Sequence, residues 1–377
     1  MFKRIIENSL VKRIGSGKAV IITGPRQVGK TTLVKQSLKD KPYLFLDGDD
    51  PKTRAELTNP NTEEIRSLIG THQIVFIDEA QRIENIGLTM KIITDQFKSV
   101  QLIASGSSAF ELMYKLNEPL TGRKWEYHLF PISYEELESK KGVLNAKKKL
   151  ENLLLFGMYP DVLNNPGDER EVLTNLTESY LFKDLLSYNG IRKAKVLENL
   201  LRALAFQVGN EVSFNELSKL VGVDKNTVAS YIKLLEMSYV VFSLSSFSRN
   251  LRKEIKHNQK IYFYDNGVRN AIIQNFNPLE FRNDIGALWE NFLISERMKL
   301  NAYNQTYAKP YFWRTVDQQE IDFIEEKDGV ISAFEFKWKA AKNIKTPLAF
   351  VKAYNTQTTL IDSENYRKFV LSEQTAF

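Results

Sequence analysis

Gly24-Pro25-Arg26-Gln27-Val28-Gly29-Lys30-Thr31 stands between the apolar run Val20-Ile21-Ile22-Thr23 and the helical stretch Thr32-Leu33-Val34-Lys35-Gln36. Glycine, four residues, glycine, lysine and threonine is the spacing of a phosphate-binding loop, here with strand before and helix after. Unpaired N–H groups at a helix start point toward an anion, and the helix dipole favours negative charge there. Gly29 lets the backbone approach phosphates with no Cβ in the way. Lys30 is expected to reach the β- and γ-phosphates and Thr31 to ligate magnesium. The expected nucleotide-binding segment is Gly24, Pro25, Arg26, Gln27, Val28, Gly29, Lys30, Thr31 and Thr32.

Downstream, Ile74-Val75-Phe76-Ile77-Asp78-Glu79 places two carboxylates after four apolar residues. A buried parallel strand reads as such a run, and ligands bind at its carboxyl end. Asp78 is therefore assigned to magnesium, through water, and Glu79 to polarising an attacking water as general base. The competing reading is that either acid only caps the next helix. Leu102-Ile103-Ala104-Ser105-Gly106-Ser107-Ser108 is a strand ending in small hydroxyl residues, suited to a polar sensor or to an ordinary serine-rich turn. Arg123 follows the glycine turn Leu120-Thr121-Gly122, placed to stabilise transition-state charge or to form a surface ion pair.

The chain has 377 residues, more than one hydrophobic core usually serves, so several domains are expected. With no cysteine and three histidines, disulfide frameworks, thiol catalysis and sulfur-ligated zinc are excluded, and a metal must rely on carboxylates, hydroxyls and phosphates. No stretch approaches the roughly 18 apolar residues of a membrane span, so a cytoplasmic protein without membrane association is expected. The net charge of +6 is compatible with a polyanionic partner. Basic residues gather at Lys140-Lys141, Lys147-Lys148-Lys149, Arg192-Lys193-Ala194-Lys195 and from Arg249 to Lys260, clusters that also suit a solvated surface.

The first 130 or so residues alternate β-branched runs with amphipathic stretches, as an α/β domain with a parallel sheet does. Its expected strands are Ala19–Thr23, Tyr43–Asp47, Ile74–Asp78 and Val100–Ser105. The chain divides into an α/β domain at 1–134, a helical lid at 135–194, a winged helix-turn-helix at 195–282 and a further α/β domain at 283–377.

Gly24 to Thr32, Phe76-Ile77-Asp78-Glu79-Ala80-Gln81, Ser105-Gly106-Ser107-Ser108, Leu120-Thr121-Gly122-Arg123 and Phe130-Pro131-Ile132-Ser133 together resemble a family of bacterial and archaeal AAA-type P-loop ATPases with a C-terminal domain of unknown function. The likeness runs over nearly the whole chain. It implies ATP and magnesium, places Ser107 in the sensor segment, and makes Arg123 a finger or sensor arginine. The similar family also carries a winged unit in the middle of the chain.

The residues themselves read the same way there. Ser213-Phe214-Asn215-Glu216 has the spacing of a capping box, Gly222-Val223-Asp224 makes a turn, and Lys225 to Met237 forms a second helix with Val228, Ile232 and Leu235 on its apolar stripe. Tyr239–Leu244 and Lys260–Tyr264 would form the wing. With the second helix in a major groove, Asn226, Thr227 and Ser230 approach base edges while Lys225, Arg249, Arg252 and Lys253 contact phosphates. Winged folds also dock proteins.

Toward the end, Gln319–Ile324 and Val330–Trp338 read as paired strands across an Asp328-Gly329 turn. Period-two alternation puts Glu335 and Lys337 on one face, within reach of Asp322. This pattern resembles the PD-(D/E)XK nuclease core. The resemblance implies magnesium on Asp322 and Glu335, Glu290 supporting from a preceding helix, and Lys337 positioning water. Glu and Lys two apart also decorate ordinary solvated strands.

The expectation is an ATP-hydrolysing AAA-type protein that acts on DNA through the winged helix and the nuclease-like domain, alone or as a homo-oligomer. The alternative is a nucleotide-dependent switch that docks a protein partner, its nuclease-like domain inactive.

Overall fold

The computed structural model describes residues 1–107, 119–181, 194–248, 259–341 and 344–372. The chain forms two compact units, Met1–Pro131 with Met237–Tyr239, and Ile132–Glu236 with Val240–Phe377.

The first unit is built on five strands, β1 (Ala19–Thr23), β2 (Leu44–Asp47), β3 (Ile74–Asp78), β4 (Gln101–Gly106) and β5 (Lys124–His128). Their order is β2-β3-β4-β1-β5, and every pairing is parallel. β1 and β3 are buried at every position, as continuous apolar runs require when helices cover both sheet faces. Ile21, Val75, Ile77, Leu102 and Ala104 form a core with Ile86, Met90 and Ile93. Two helices matter for the site: α1 (Lys30–Ser37), which follows the loop after β1, and α2 (Ile86–Gln96). The expected strand bounds hold for β1 and β3, and shift by one residue at the start of β2 and at both ends of β4. Because β3, β4 and β1 are neighbours in a parallel sheet, Asp78, Gly106 and Thr23 all fall at its carboxyl edge.

The second unit begins with short helices, among them Tyr134–Lys141, Leu150–Phe156 and Glu169–Asn175. Next come α3 (Phe214–Val221) and α4 (Lys225–Met237), separated by Gly222 in a left-handed conformation. A seven-stranded sheet follows, with β6 (Glu211–Val212), β7 (Val241–Ser246), β8 (Gln259–Phe263), β9 (Lys309–Arg314), β10 (Glu320–Lys327), β11 (Val330–Phe336) and β12 (Thr358–Ile361) in the order β12-β11-β10-β9-β7-β8-β6. β7 pairs antiparallel with β8 and parallel with β9, Ser245 opposite Tyr311, so the strands expected to form a wing share one sheet with those of the C-terminal segment. Asp328 and Gly329 join β10 to β11 with φ of 52° and 81°, the left-handed pair that a two-residue hairpin turn demands. α5 (Ile285–Asn304) packs beside β8 and β11. Among the described residues no helix is long and apolar enough to cross a membrane.

Candidate functional site

The phosphate loop turns between β1 and α1 at the carboxyl edge of the first sheet. Gly24 has φ of 154°, and a Cβ there would lie 2.0 Å from the Leu129 carbonyl oxygen, so no side chain fits. Gly29, with φ of 92°, caps α1 in the left-handed region. Buried Lys30 donates from Nζ to the Gly24 carbonyl at 3.0 Å and the Pro25 carbonyl at 2.8 Å, which draws the loop around its ammonium. Arg4, from the N-terminal segment, donates to the Val28 carbonyl at 2.8 Å and the Phe130 carbonyl at 2.6 Å, tying the loop to the chain after β5.

Thr31, on the first turn of α1, donates its hydroxyl to Asp78 Oδ2 at 2.6 Å, and Ser105 of β4 donates to the other carboxylate oxygen. The structure thereby brings together the two residues read as magnesium ligands. Their hard oxygens suit that ion, which takes one or two protein ligands and completes its shell with phosphates and water.

Glu79 sits next to Asp78 with φ of 46°, an unusual conformation for a non-glycine residue and one that recurs at functional sites. Its Oε2 accepts from Gln81 Nε2 at 2.6 Å and from the Ser107 hydroxyl at 3.2 Å, and the same amide nitrogen of Gln81 lies 3.0 Å from Ser107 Oγ. Ser107 is thus joined to the candidate base both directly and through Gln81, a residue with no role expected from the sequence.

A further cluster touches the last residue before the loop. Thr23 Oγ1 lies 2.7 Å from His128 Nδ1 and 2.7 Å from the Tyr239 hydroxyl, and Tyr239 Oη is 2.6 Å from the same imidazole nitrogen. Burial pushes the His128 imidazole down and the Tyr239 phenol up, so both are neutral near pH 7 and share hydrogen bonds rather than charge. Tyr239 has φ of 57°, again left-handed. His128 meets Thr23 through the register of β5 on β1, which no sequence motif announces; nothing local announces Tyr239 either.

Arg123 is not brought to the loop. Its carbonyl accepts the Ala19 amide at 2.9 Å, at the amino edge of β1, whereas the phosphate loop leaves from the carboxyl edge. Four residues of strand, about 13 Å at 3.3 Å each, separate the two edges. Its Nε donates to Asp95 Oδ1 of α2 at 2.7 Å, the ion pair weighed as its alternative role, and that bond holds the Asp95 carboxyl below the usual range.

On α4, Lys225, Asn226 and Ser230 are exposed. Thr227 is engaged within the helix end: Asp224 accepts its amide at 2.9 Å and its hydroxyl at 2.5 Å, which caps α4 and occupies a group read as a base contact. Ser213 accepts the Glu216 amide at 3.4 Å and caps α3. Arg249, Arg252 and Lys253 lie outside the described residues.

The acidic residues of the C-terminal segment do converge. Asp322 on β10 stands opposite Glu335 on β11, since Phe323 pairs with Phe334. Burial, then the nearby carboxylates of Glu290 and Glu335, push the Asp322 carboxyl well above its ordinary range. Its Oδ2 accepts the Phe336 amide at 2.7 Å, and Lys337 Nζ donates to Glu335 Oε1 at 2.7 Å. Two residues not foreseen complete the group. Lys260 of β8 lies 3.2 Å from Glu290 Oε1 and is ion-paired with Glu320, while Tyr262 donates to that same Glu290 oxygen at 2.5 Å. Burial works against the Lys260 charge, but the surrounding carboxylates outweigh it and raise its pKa.

Residues 16–138 match the model of an AAA domain, residues 147–279 a domain of unknown function (DUF8612), and residues 285–375 another domain of unknown function (DUF4143). The chain is 27% identical over 330 residues to an uncharacterized protein of Mycobacterium tuberculosis, covering 86% of this chain and 71% of that one. It is 23% identical over 382 residues to an uncharacterized protein of Haemophilus influenzae, covering 93% and 88%. Among solved structures it resembles a Walker-type ATPase of Pyrococcus abyssi, with a TM-score of 0.53, 16% identity, and coverage of 72% of this chain and 96% of that one. The matched model and the shared fold agree with the strand, loop and helix at residues 19–37, and residues 16–138 carry a P-loop domain of the AAA ATPase type.

Proposed function

We propose that this protein binds ATP with magnesium at the Gly24–Thr32 loop, hydrolyses it, and couples the cycle to DNA held by its helix-turn-helix. The observation that carries the reading is the hydroxyl of Thr31 bonded to Asp78 beside the folded loop, with Lys30 at its centre. In this account the ammonium of Lys30 exchanges the Gly24 and Pro25 carbonyls for phosphate oxygens. The first-turn amides of α1 supply the remaining donors. Thr31, and Asp78 through water, would hold magnesium, which when bound would neutralise charge on the transferring phosphoryl group. Glu79 orients and polarises water, and the amide of Gln81 with the hydroxyl of Ser107 sets the direction of that carboxylate.

For DNA, Lys225, Asn226 and Ser230 supply the exposed face of α4, and Arg249, Arg252 and Lys253 supply phosphate contacts. The C-terminal segment is read as a nuclease-like fold on the strength of Asp322, Glu335 and Lys337. A nucleotide-dependent switch that docks a protein is the second reading, favoured by one observation: Thr227 is spent on capping α4.

The decisive experiment measures ATP turnover of the full chain with and without duplex or single-stranded DNA. Turnover that is lost in Lys30→Ala and stimulated by DNA supports the reading. Wild-type turnover in Lys30→Ala refutes the phosphate site, and absence of duplex binding at low salt in a filter assay favours the protein-docking switch.

A further inference from the structure

The C-terminal carboxylates have the residue types of a metal-dependent nuclease, but their surroundings do not fit a metal. Lys260 has 1% of its side chain exposed, and its ammonium bridges Glu290, at 3.2 Å, and Glu320. Tyr262, two residues along β8 and so on the same face, occupies the same Glu290 oxygen at 2.5 Å. Glu335 is held by Lys337 and Asp322 by the Phe336 amide, each at 2.7 Å. Every acid expected to bind magnesium or to support it is engaged by a protein donor. Among the described residues no group of three or more histidine, cysteine, aspartate or glutamate side chains has the arrangement to hold a metal ion. A buried ammonium is costly unless paired, so Lys260 and its carboxylates must be counted as one unit. A divalent ion at Glu290 would have to sit against a fixed positive charge and displace two hydrogen bonds.

We infer that Lys260 is a built-in cation, filling the charge position that a nuclease of this architecture gives to magnesium, and that the C-terminal strands perform no metal-dependent phosphodiester cleavage. This inference rests on the nuclease-like reading of Asp322, Glu335 and Lys337. It assigns Lys260 and Tyr262 the task of holding Glu290 in place of a metal, leaving the phosphate loop as the candidate divalent site among the described residues.

The probe is Mn2+, titrated by electron paramagnetic resonance into nucleotide-free full-length protein, wild type and Asp322→Asn. Equal numbers of bound ions in the two are expected. Loss of one tightly bound ion in Asp322→Asn overturns the inference. A second measurement uses Lys260→Ala, whose melting temperature should fall and then be raised by millimolar Mn2+ more than that of the wild type. That rescue should vanish in the Lys260→Ala/Asp322→Asn double variant. If Mn2+ raises the melting temperature of Lys260→Ala no more than that of the wild type, the metal-replacing role of Lys260 is refuted, along with the nuclease-like reading beneath it. Magnesium-dependent nicking of duplex DNA that disappears in Asp322→Asn would overturn the inference while upholding that reading. Should Lys260→Ala fail to fold, the comparison of wild type with Asp322→Asn still decides.

Discussion

The hydroxyl of Tyr239 lies 2.7 Å from that of Thr23, although 216 positions separate them in the chain, and Thr23 is the residue from which the phosphate loop departs. A buried hydrogen bond of this kind contributes about 1 kcal/mol, or roughly a fivefold change in an equilibrium. Tyr239→Phe keeps the ring and removes the tie. Nucleotide affinity, measured by fluorescence titration, should weaken about fivefold with little change in melting temperature. An unaltered Kd would show that the bond positions nothing.

Glu79 carries the proposed base function within a three-residue set. Glu79→Gln should retain ATP and lose hydrolysis by about 10²–10⁴-fold, the usual contribution of a positioned base. Gln81→Ala should fall between the wild type and that variant, because it loosens the carboxylate without removing it. Single-turnover hydrolysis alongside nucleotide binding separates the two effects, and full-rate hydrolysis in Glu79→Gln would remove Glu79 from the mechanism.

Arg123 leaves its own chain's loop untouched, so any catalytic part must be played toward another copy. Arg123→Ala should turn over ATP at the wild-type rate when dilute. A wild-type rate per chain that rises with protein concentration, and does not rise in Arg123→Ala, is the signature of action between copies. A drop at every concentration contradicts the placement at the amino edge.

In the second unit, Asp284 accepts from Arg269 at 2.6 Å and from Arg282 at 2.8 Å. Burial opposes its charge, yet the hydrogen bonds from Arg282 and Arg269 outweigh burial and hold its carboxyl below the ordinary range. Burial also pushes the Arg269 guanidinium down, but arginine keeps its proton throughout the acid range. A carboxyl with a lowered folded pKa adds stability that is fully present above its unfolded value, about 3.9, and is lost as pH falls through the folded value. Asp284→Asn should therefore cost about 3–5 kcal/mol at pH 7, the penalty for leaving buried guanidinium groups unpaired. Thermal melts should show this gap shrinking below about pH 4.

The P-loop segment was legible because its elements are local. Strand, turn and helix from Ala19 to Ser37 are contiguous, and the apolar run ending at Asp78 marks a buried parallel strand. Arg4, His128 and Tyr239 were not legible: Arg4 belongs to no motif and meets Val28 and Phe130 only in the fold, His128 meets Thr23 through strand register, and Tyr239 comes from 216 positions away. The position of Arg123 was deducible in principle: a residue that enters a strand parallel to β1 must lie at the edge opposite the loop. Lys260 left a trace as well, a charge at the head of the apolar run Ile261-Tyr262-Phe263, on the face that Tyr262 shares. Which acids it would meet depended on β8, β10 and α5 coming together.

The pairing of Ser245 with Tyr311 bears on how this protein can be dissected. A polypeptide ending at residue 282 would leave β7 with a naked row of amides and carbonyls, ready to recruit strands from its neighbours in solution. Fragments meant to isolate α3 and α4 should therefore clump, whereas those that retain the chain through β12 should stay dispersed.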